Sequence, residues 1–240
     1  MIEGFERYQR QLILDGWGHE VQRRLKEARV FIAGIGGLGC PVALNLALAG
    51  VGHLRICDAD TVEITNLNRQ FLHCASELGT TKTVSASQYL GAINPDTNIE
   101  GVNQKITSDN VDELVGDCQI IIDCLDNFSA RYAINQCAIR KKIPLIHGAV
   151  WGMEGRIGVF QPPQTPCLAC IFPRQMEPVE IPVLGAVTSA TGSMQAIQAI
   201  RYLAGREMAL KGRLLVMDFS TMKFQELTLK KDPSCPDCGK

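Results

Sequence analysis

Residues 29–60, RVFIAGIGGLGCPVALNLALAGVGHLRICDAD, decide the fold. The run RVFIAG (29–34) is compact, apolar and closed by glycine, as expected of a buried strand. Gly34, Gly36 and Gly39 form a G-x-G-x-x-G turn. The apolar segment behind it reads as a helix, with Pro41 near its first turn and Gly50 at its end. A second strand, LRICDAD (54–60), contains Asp58, 19 residues beyond Gly39. Strand, glycine turn, helix, strand and acid make a dinucleotide-type site: helix N-terminal amides meet phosphate, and the acid meets ribose hydroxyls. The same glycines could instead only let a helix pack closely on a strand.

Outward from this unit, residues 20–28 read as a helix, 82–93 as a helix that stops before Asn94-Pro95-Asp96, and 99–106 and 119–127 as strands. A helix over 128–142, with basic residues in its last turn, and a strand over 144–150 follow. This alternation predicts an α/β fold: a Rossmann-like, open, mostly parallel sheet with right-handed crossovers. After about residue 150 the pattern changes. EGRIGVFQ (154–161) reads as a strand, 162–170 as a loop, and 174–187 as irregular and broken by proline. A helix over 193–205 carries Ile197, Ile200 and Ala204 on one face. GRLLVMDF and KFQELTL close the chain as an antiparallel hairpin. We expect a single domain over 1–240, with a nucleotide-binding core at 1–150 and a sheet extension at 151–240.

The 240 residues are 46% hydrophobic and 20% charged, with a net charge of −1, an ordinary globular balance. It lacks the basic excess that non-specific nucleic-acid or membrane binding would need. The N-terminal residues contain no uninterrupted apolar core that reads as a signal peptide, and no run approaches the ~20 residues of a membrane span. The expected compartment is the cytoplasm.

The stretch DADTVEITNLNRQFLH (58–73) and the following Lys82 exceed what a redox cofactor needs. Arg69 and Lys82 can neutralise a leaving pyrophosphate, and Asn66 can donate to an α-phosphate. Asp126, in DCLDN after the fourth strand, falls where the crevice of an open α/β sheet binds ligands, and its carboxylate could hold Mg²⁺. Alternatively Asp126 or Asn127 could simply cap the next helix. The nucleotide-binding set is Gly34, Gly36, Gly37, Gly39, Asp58, Asp60, Asn66, Arg69, Lys82, Asp126 and Asn127. His19, His53, His73 and His147 are assigned to packing.

Cys167-Leu-Ala-Cys170 and Cys235-Pro-Asp-Cys238 supply four thiolates, a set that tetrahedral Zn²⁺ accepts. A structural zinc there would pin the C-terminal tail to the loop after the sixth strand as a zinc knuckle; a redox dithiol is the alternative. The remaining six cysteines, 40, 57, 74, 118, 124 and 137, read as buried small hydrophobes.

RYQRQ, GIGGLGCP, DADTVEITNLNRQ, DCLDN and the CLAC…CPDC pair together resemble the ThiF/MoeB/HesA family, prokaryotic relatives of ubiquitin-activating enzymes. The resemblance runs from about residue 5 to 239. It implies an adenylyltransferase that uses MgATP to activate the C-terminal glycine of a small ubiquitin-like sulfur carrier ending in Gly-Gly. By the same resemblance, Gly37 and its neighbours approach the nucleotide, Asp58 binds the ribose, Asn66, Arg69 and Lys82 surround the phosphates, and Asp126 holds Mg²⁺. Arg10 would reach the ATP of a partner subunit, implying a homodimer. Many members carry a cysteine in the loop crossing the active site. Here that loop, IFPRQMEPVEIPVLGAV, has none, and Pro178 stands near the expected place. The chain is therefore expected to stop at the acyl-adenylate, with a separate sulfur donor attacking it. Competing readings are an NAD-dependent oxidoreductase, a relative activating a carboxylate on a tRNA base, and a non-catalytic scaffold subunit.

Overall fold

The structure, a computed structural model, describes residues 5–172 and 182–239. A 3₁₀ turn (Glu6–Tyr8) and helix α1 (Gln9–Leu12) lead into α2 (Gly18–Glu27). Then come β1 (Arg29–Ala33), α3 (Gly39–Ala49), β2 (His53–Cys57), α4 (Lys82–Ile93) and β3 (Asn98–Val102). The chain continues through α5 (Val111–Val115), β4 (Ile120–Asp123), α6 (Phe128–Lys141), β5 (Leu145–Trp151) and β6 (Glu154–Phe160). It closes with α7 (Leu168–Ile171), α8 (Gly185–Leu203), β7 (Arg213–Asp218) and β8 (Lys223–Thr228).

The strands form one sheet in the order β3-β2-β1-β4-β5-β6-β7-β8. The pairs from β3 to β5 are parallel and those from β5 to β8 antiparallel. Neighbouring strands β1 and β4 leave the sheet in opposite crossover directions. Their carboxyl ends therefore open a crevice, the usual ligand site of such sheets. The central strands are apolar on both faces because both are covered. Ile32, Ile56, Ile120, Ile122 and Ile146 pack with Leu46, Leu90 and Ala196 on one side. Phe31, Ile121 and Leu145 pack with Val115 and Ile134 on the other.

Several boundaries differ from the sequence reading. The fourth strand ends at Asp123, not at residue 127, because the Asp123 carboxylate accepts the Leu125 N–H and turns the chain out of the ladder. The third strand ends at Val102. The short helices α5 and α7 are too brief to leave a periodic signal. Helix α8 begins at Gly185, eight residues before the expected 193, so residues 185–187 are helical rather than irregular. Its buried side carries Thr188, Thr191, Gln195, Ala196 and Ala199, while Ile197 is 53% exposed. The reason is close packing: Gly192 lies against Pro41 of α3, and Gln195 donates to the backbone carbonyls of Asp123 and Ile146. Cys74 is exposed, its thiol bonded to the Glu77 carboxylate, and so is not a core residue. Among the described residues no helix is long and apolar enough to cross a membrane.

Candidate active site

The crevice is a cleft of about 1500 Å³. Gly34, at φ +89°, turns the chain out of β1, and a Cβ there would meet the Cys124 carbonyl at 2.9 Å. At Gly39 a Cβ would meet the Gly34 carbonyl oxygen at 2.1 Å, so only glycine lets α3 start this close to the strand. Gly36 and Gly37 line the cleft beside that helix start.

Asp58, just past β2, holds the turn closed. One carboxylate oxygen accepts the Ile35 N–H at 2.8 Å and the other the Asp60 N–H at 2.9 Å. Burial raises its pKa above the ordinary aspartate value, against the opposing pull of those two amides. Lys82, at the start of α4, is buried, with its ammonium 2.8 Å from Asp60. Arg69 donates to the Thr65 carbonyl at 2.8 Å and to Asn68 Oδ1 at 3.0 Å.

Asp126 is exposed into the cleft, three residues past β4. Beside it Asn127 caps α6, accepting the Ala130 N–H at 2.9 Å. The bland capping role thus belongs to Asn127 and leaves Asp126 available.

The fold therefore brings Gly34, Gly36, Gly37, Asp58, Asp60, Asp126 and Asn127, from the ends of three strands, to one cleft with Arg69, from the long connection between β2 and α4, and Lys82, from the start of α4. Gly39 stands behind the turn and does not line the cleft. Asn66 is buried in a 3₁₀ turn, where its Oδ1 accepts the Glu63 N–H at 3.1 Å; it too is not among the lining residues. Arg10 lies exposed on α1, outside the cleft. The crossover residues 173–181, including Pro178, fall outside the described residues.

Sequence reasoning passes over Asp123, Arg131 and His147, a buried cluster drawn from the end of β4, from α6 and from within β5; Arg131 and His147 line the cleft. The first Asp of DCLDN was a signal, but a strand-end acid does not announce its partners. Two cysteines line the cleft, and burial pushes up both thiols, Cys57 to about 12 and Cys124 well above its ordinary value. Neither supplies a thiolate near neutral pH.

Away from the cleft, Cys167, Cys170, Cys235 and Cys238 converge, all four sulfurs within 4.8 Å of one another. Contacts of 3.9, 3.6 and 3.4 Å join 167 to 170, 167 to 235 and 170 to 238. Four Zn–S bonds of about 2.3 Å at tetrahedral angles place sulfurs about 3.8 Å apart, so the cage fits zinc. Asp237 in the second knuckle accepts from Asn135 and Gln136, tying the tail to α6.

A profile described as the ThiF family matches residues 8–237. The chain belongs to the ThiF family. Among ThiF-family relatives, it is 39% identical over 240 residues to the SAMP-activating enzyme E1 of Haloferax volcanii, covering 98% of this chain and 88% of that one. It is 39% identical to the molybdopterin-synthase adenylyltransferase of Salmonella typhimurium (97% and 96% covered). It is 37% identical to the sulfur carrier protein adenylyltransferase of Thermus thermophilus (99% and 92%). The ThiF-family fold also matches a crystal structure of E. coli MccB with ATP, at a TM-score of 0.88 and 23% identity over 99% of this chain and 75% of that one.

Proposed function

We propose that this chain is an adenylyltransferase that uses MgATP to activate the C-terminal glycine carboxylate of a small ubiquitin-like sulfur carrier ending in Gly-Gly. The activated carrier would serve sulfur transfer in thiamin, molybdopterin or related biosynthesis. The observation that carries the reading is the convergence of two cations, Arg69 and Lys82, and an exposed carboxylate, Asp126, on the cleft that already holds the glycine turn and Asp58. A nicotinamide cofactor would use only the last two features.

The carboxylate oxygen attacks the α-phosphorus. A new O–P bond forms, the bond to the β-phosphate oxygen breaks, and pyrophosphate leaves. The attacking group is already ionised near neutral pH, so no general base is needed. What the step requires is orientation and positive charge at the phosphates. Asp58 takes the ribose hydroxyls. Arg69 turns from its backbone carbonyl, and Lys82 from Asp60, toward phosphate oxygens. Asp126 would hold Mg²⁺, whose positive charge would offset that of the phosphates. Asn66 keeps a supporting place in the 3₁₀ turn that presents Arg69. Arg10 acts on the ATP of the partner subunit in a homodimer.

Zinc held by Cys167, Cys170, Cys235 and Cys238 would be structural, since four protein thiolates would leave it no position for a reactant. With no thiolate available from Cys57 or Cys124, a separate sulfur donor attacks the acyl-adenylate; a C–S bond forms, the acyl–phosphate bond breaks and AMP leaves. Ten unbridged cysteines fit a reducing, cytoplasmic compartment.

ATP–pyrophosphate exchange against a panel of small Gly-Gly-ending carriers tests the reading. Exchange is expected with at least one carrier and lost when its terminal glycine is removed. A protein that binds NAD but not ATP would overturn it.

A further inference from the structure

Asp123, the last residue of β4, is fully buried. Its Oδ2 accepts the Nδ1–H of His147 at 2.6 Å and lies 3.3 Å from the Arg131 Nε. Its Oδ1 accepts the Leu125 N–H at 3.1 Å. Arg131 in turn donates to the Leu125 carbonyl and, at 3.1 Å, to the Gly148 carbonyl. Both backbone groups of Leu125 are thus held by this cluster, and the next residue is Asp126.

His147 sits directly across from Asp123 in the parallel β4–β5 register, its ring packed by Phe160 and Phe172 at 6.2 and 5.1 Å. Burial pushes its pKa below the ordinary histidine value. Asp123, although burial acts upward on it, is held below the ordinary aspartate value by Arg131 and His147. A neutral imidazole beside an ionised carboxylate carries its proton on Nδ1. Nε2 has no hydrogen-bond partner among the described residues.

We propose that His147 is a positioning residue for the metal-binding turn: its Nδ1–H fixes the Asp123 carboxylate, and through Asp123 the backbone of Leu125 that aims Asp126. This deepens the function proposed above and rests on Asp126 holding the metal. Without the Nδ1–H, Oδ2 keeps only the longer Arg131 contact. The carboxylate then swings toward the guanidinium and releases the Leu125 amide. A shape-filling side chain at 147 would restore packing but not this bond.

Asparagine places an amide nitrogen where the imidazole Nδ1 sits, and glutamine places one near Nε2. The test compares wild type, His147→Asn, His147→Gln, His147→Phe and Asp126→Asn in three measurements: magnesium dependence of ATP–pyrophosphate exchange, calorimetric binding of ATP with and without magnesium, and hydrogen exchange at the Leu125 amide. Partners behind a metal ligand commonly change metal affinity by about 10- to 100-fold. His147→Gln and His147→Phe are therefore expected to raise the half-saturating magnesium about tenfold and to speed Leu125 exchange, with KM for the carrier unchanged. His147→Asn is expected to stay near wild type in all three.

Magnesium dependence and Leu125 protection unaltered in the Gln variant would overturn the proposal. So would rescue by Gln but not Asn, which would place the role at Nε2. If Phe does not fold, the Asn and Gln pair still decides. If Asp126→Asn leaves magnesium dependence unchanged, the reading of Asp126 falls by itself. The Leu125 amide then still reports whether His147 holds the turn.

Discussion

At the scale of single residues, the cleft separates side chains that hold the fold from side chains left for chemistry. Asp126 is exposed and its carboxylate supports no helix cap, a duty taken by Asn127. Asp126→Ala should therefore lower ATP–pyrophosphate exchange by at least about 100-fold, the scale of losing one preorganised electrostatic group. It should move stability by no more than about 0.5 kcal/mol, as surface substitutions do. Exchange assays and thermal melts on one preparation check both. Asp126, Arg69 and Lys82 were legible because each is an unusual residue at a motif position. Asn66 was legible as a motif residue but not as one whose Oδ1 is committed to the Glu63 N–H.

His147 and His73 show what was not legible. Both have pKa values lowered by burial, so below about 6.5 the unfolded chain takes up protons that the folded chain refuses. Stability is then full above that pH and falls as pH drops toward the folded values. The slope is at most about 1.4 kcal/mol per pH unit for each histidine. His147→Asn should flatten this slope by up to one histidine's share between pH 6.5 and 5. Melts at several pH values would reveal an unchanged slope if His147 were charged in the native state.

At the scale of elements, the β1–turn–α3 unit is held by contact rather than by propensity. Gly39→Ala would drive a Cβ to 2.1 Å from the Gly34 carbonyl oxygen, and neither backbone can move without breaking the turn. A loss of about 2–4 kcal/mol is expected, as for other backbone clashes in packed regions. Gly91, inside α4, has nothing within 4 Å of an added Cβ. There the same change should stabilise by about 0.5–1 kcal/mol through helix propensity. Chemical denaturation of the two variants gives the contrast, and equal effects would refute the steric account. Helix α8 shows the limit of pattern reading at this scale. Between Val187 and Leu203 its buried face is threonine, glutamine, glycine and alanine, and the Ile197 that hydrophobic periodicity picks out faces solvent.

At the scale of the whole molecule, the tail after β8 returns across the fold to meet the segment after β6. β8 itself is an edge strand exposed along its whole length. The four-cysteine cage and the bonds from Asn135 and Gln136 to Asp237 are thus the main described ties of the last residues. Cys238→Ser should release zinc, lower the melting temperature and expose residues 230–239 to proteolysis, while ATP binding persists, since none of the four cysteines lines the cleft. Metal analysis and limited digestion test this. A variant that retained a full equivalent of zinc would remove Cys238 from the ligand set.

The sequence by itself determined the nucleotide unit, the change from parallel to antiparallel strands, the cysteine pairs and most of the cleft. These rest on local spacing: period, turn glycines and motif residues lie within a few positions of one another. Only the tertiary structure decided which polar side chains are spent on the fold. Asp123, Arg131 and His147 lie 8 to 24 positions apart and meet because β4 and β5 pair in register with α6 above them. A buried hydrogen bond depends on where two elements are brought together, and neither partner's own neighbours in the chain record it.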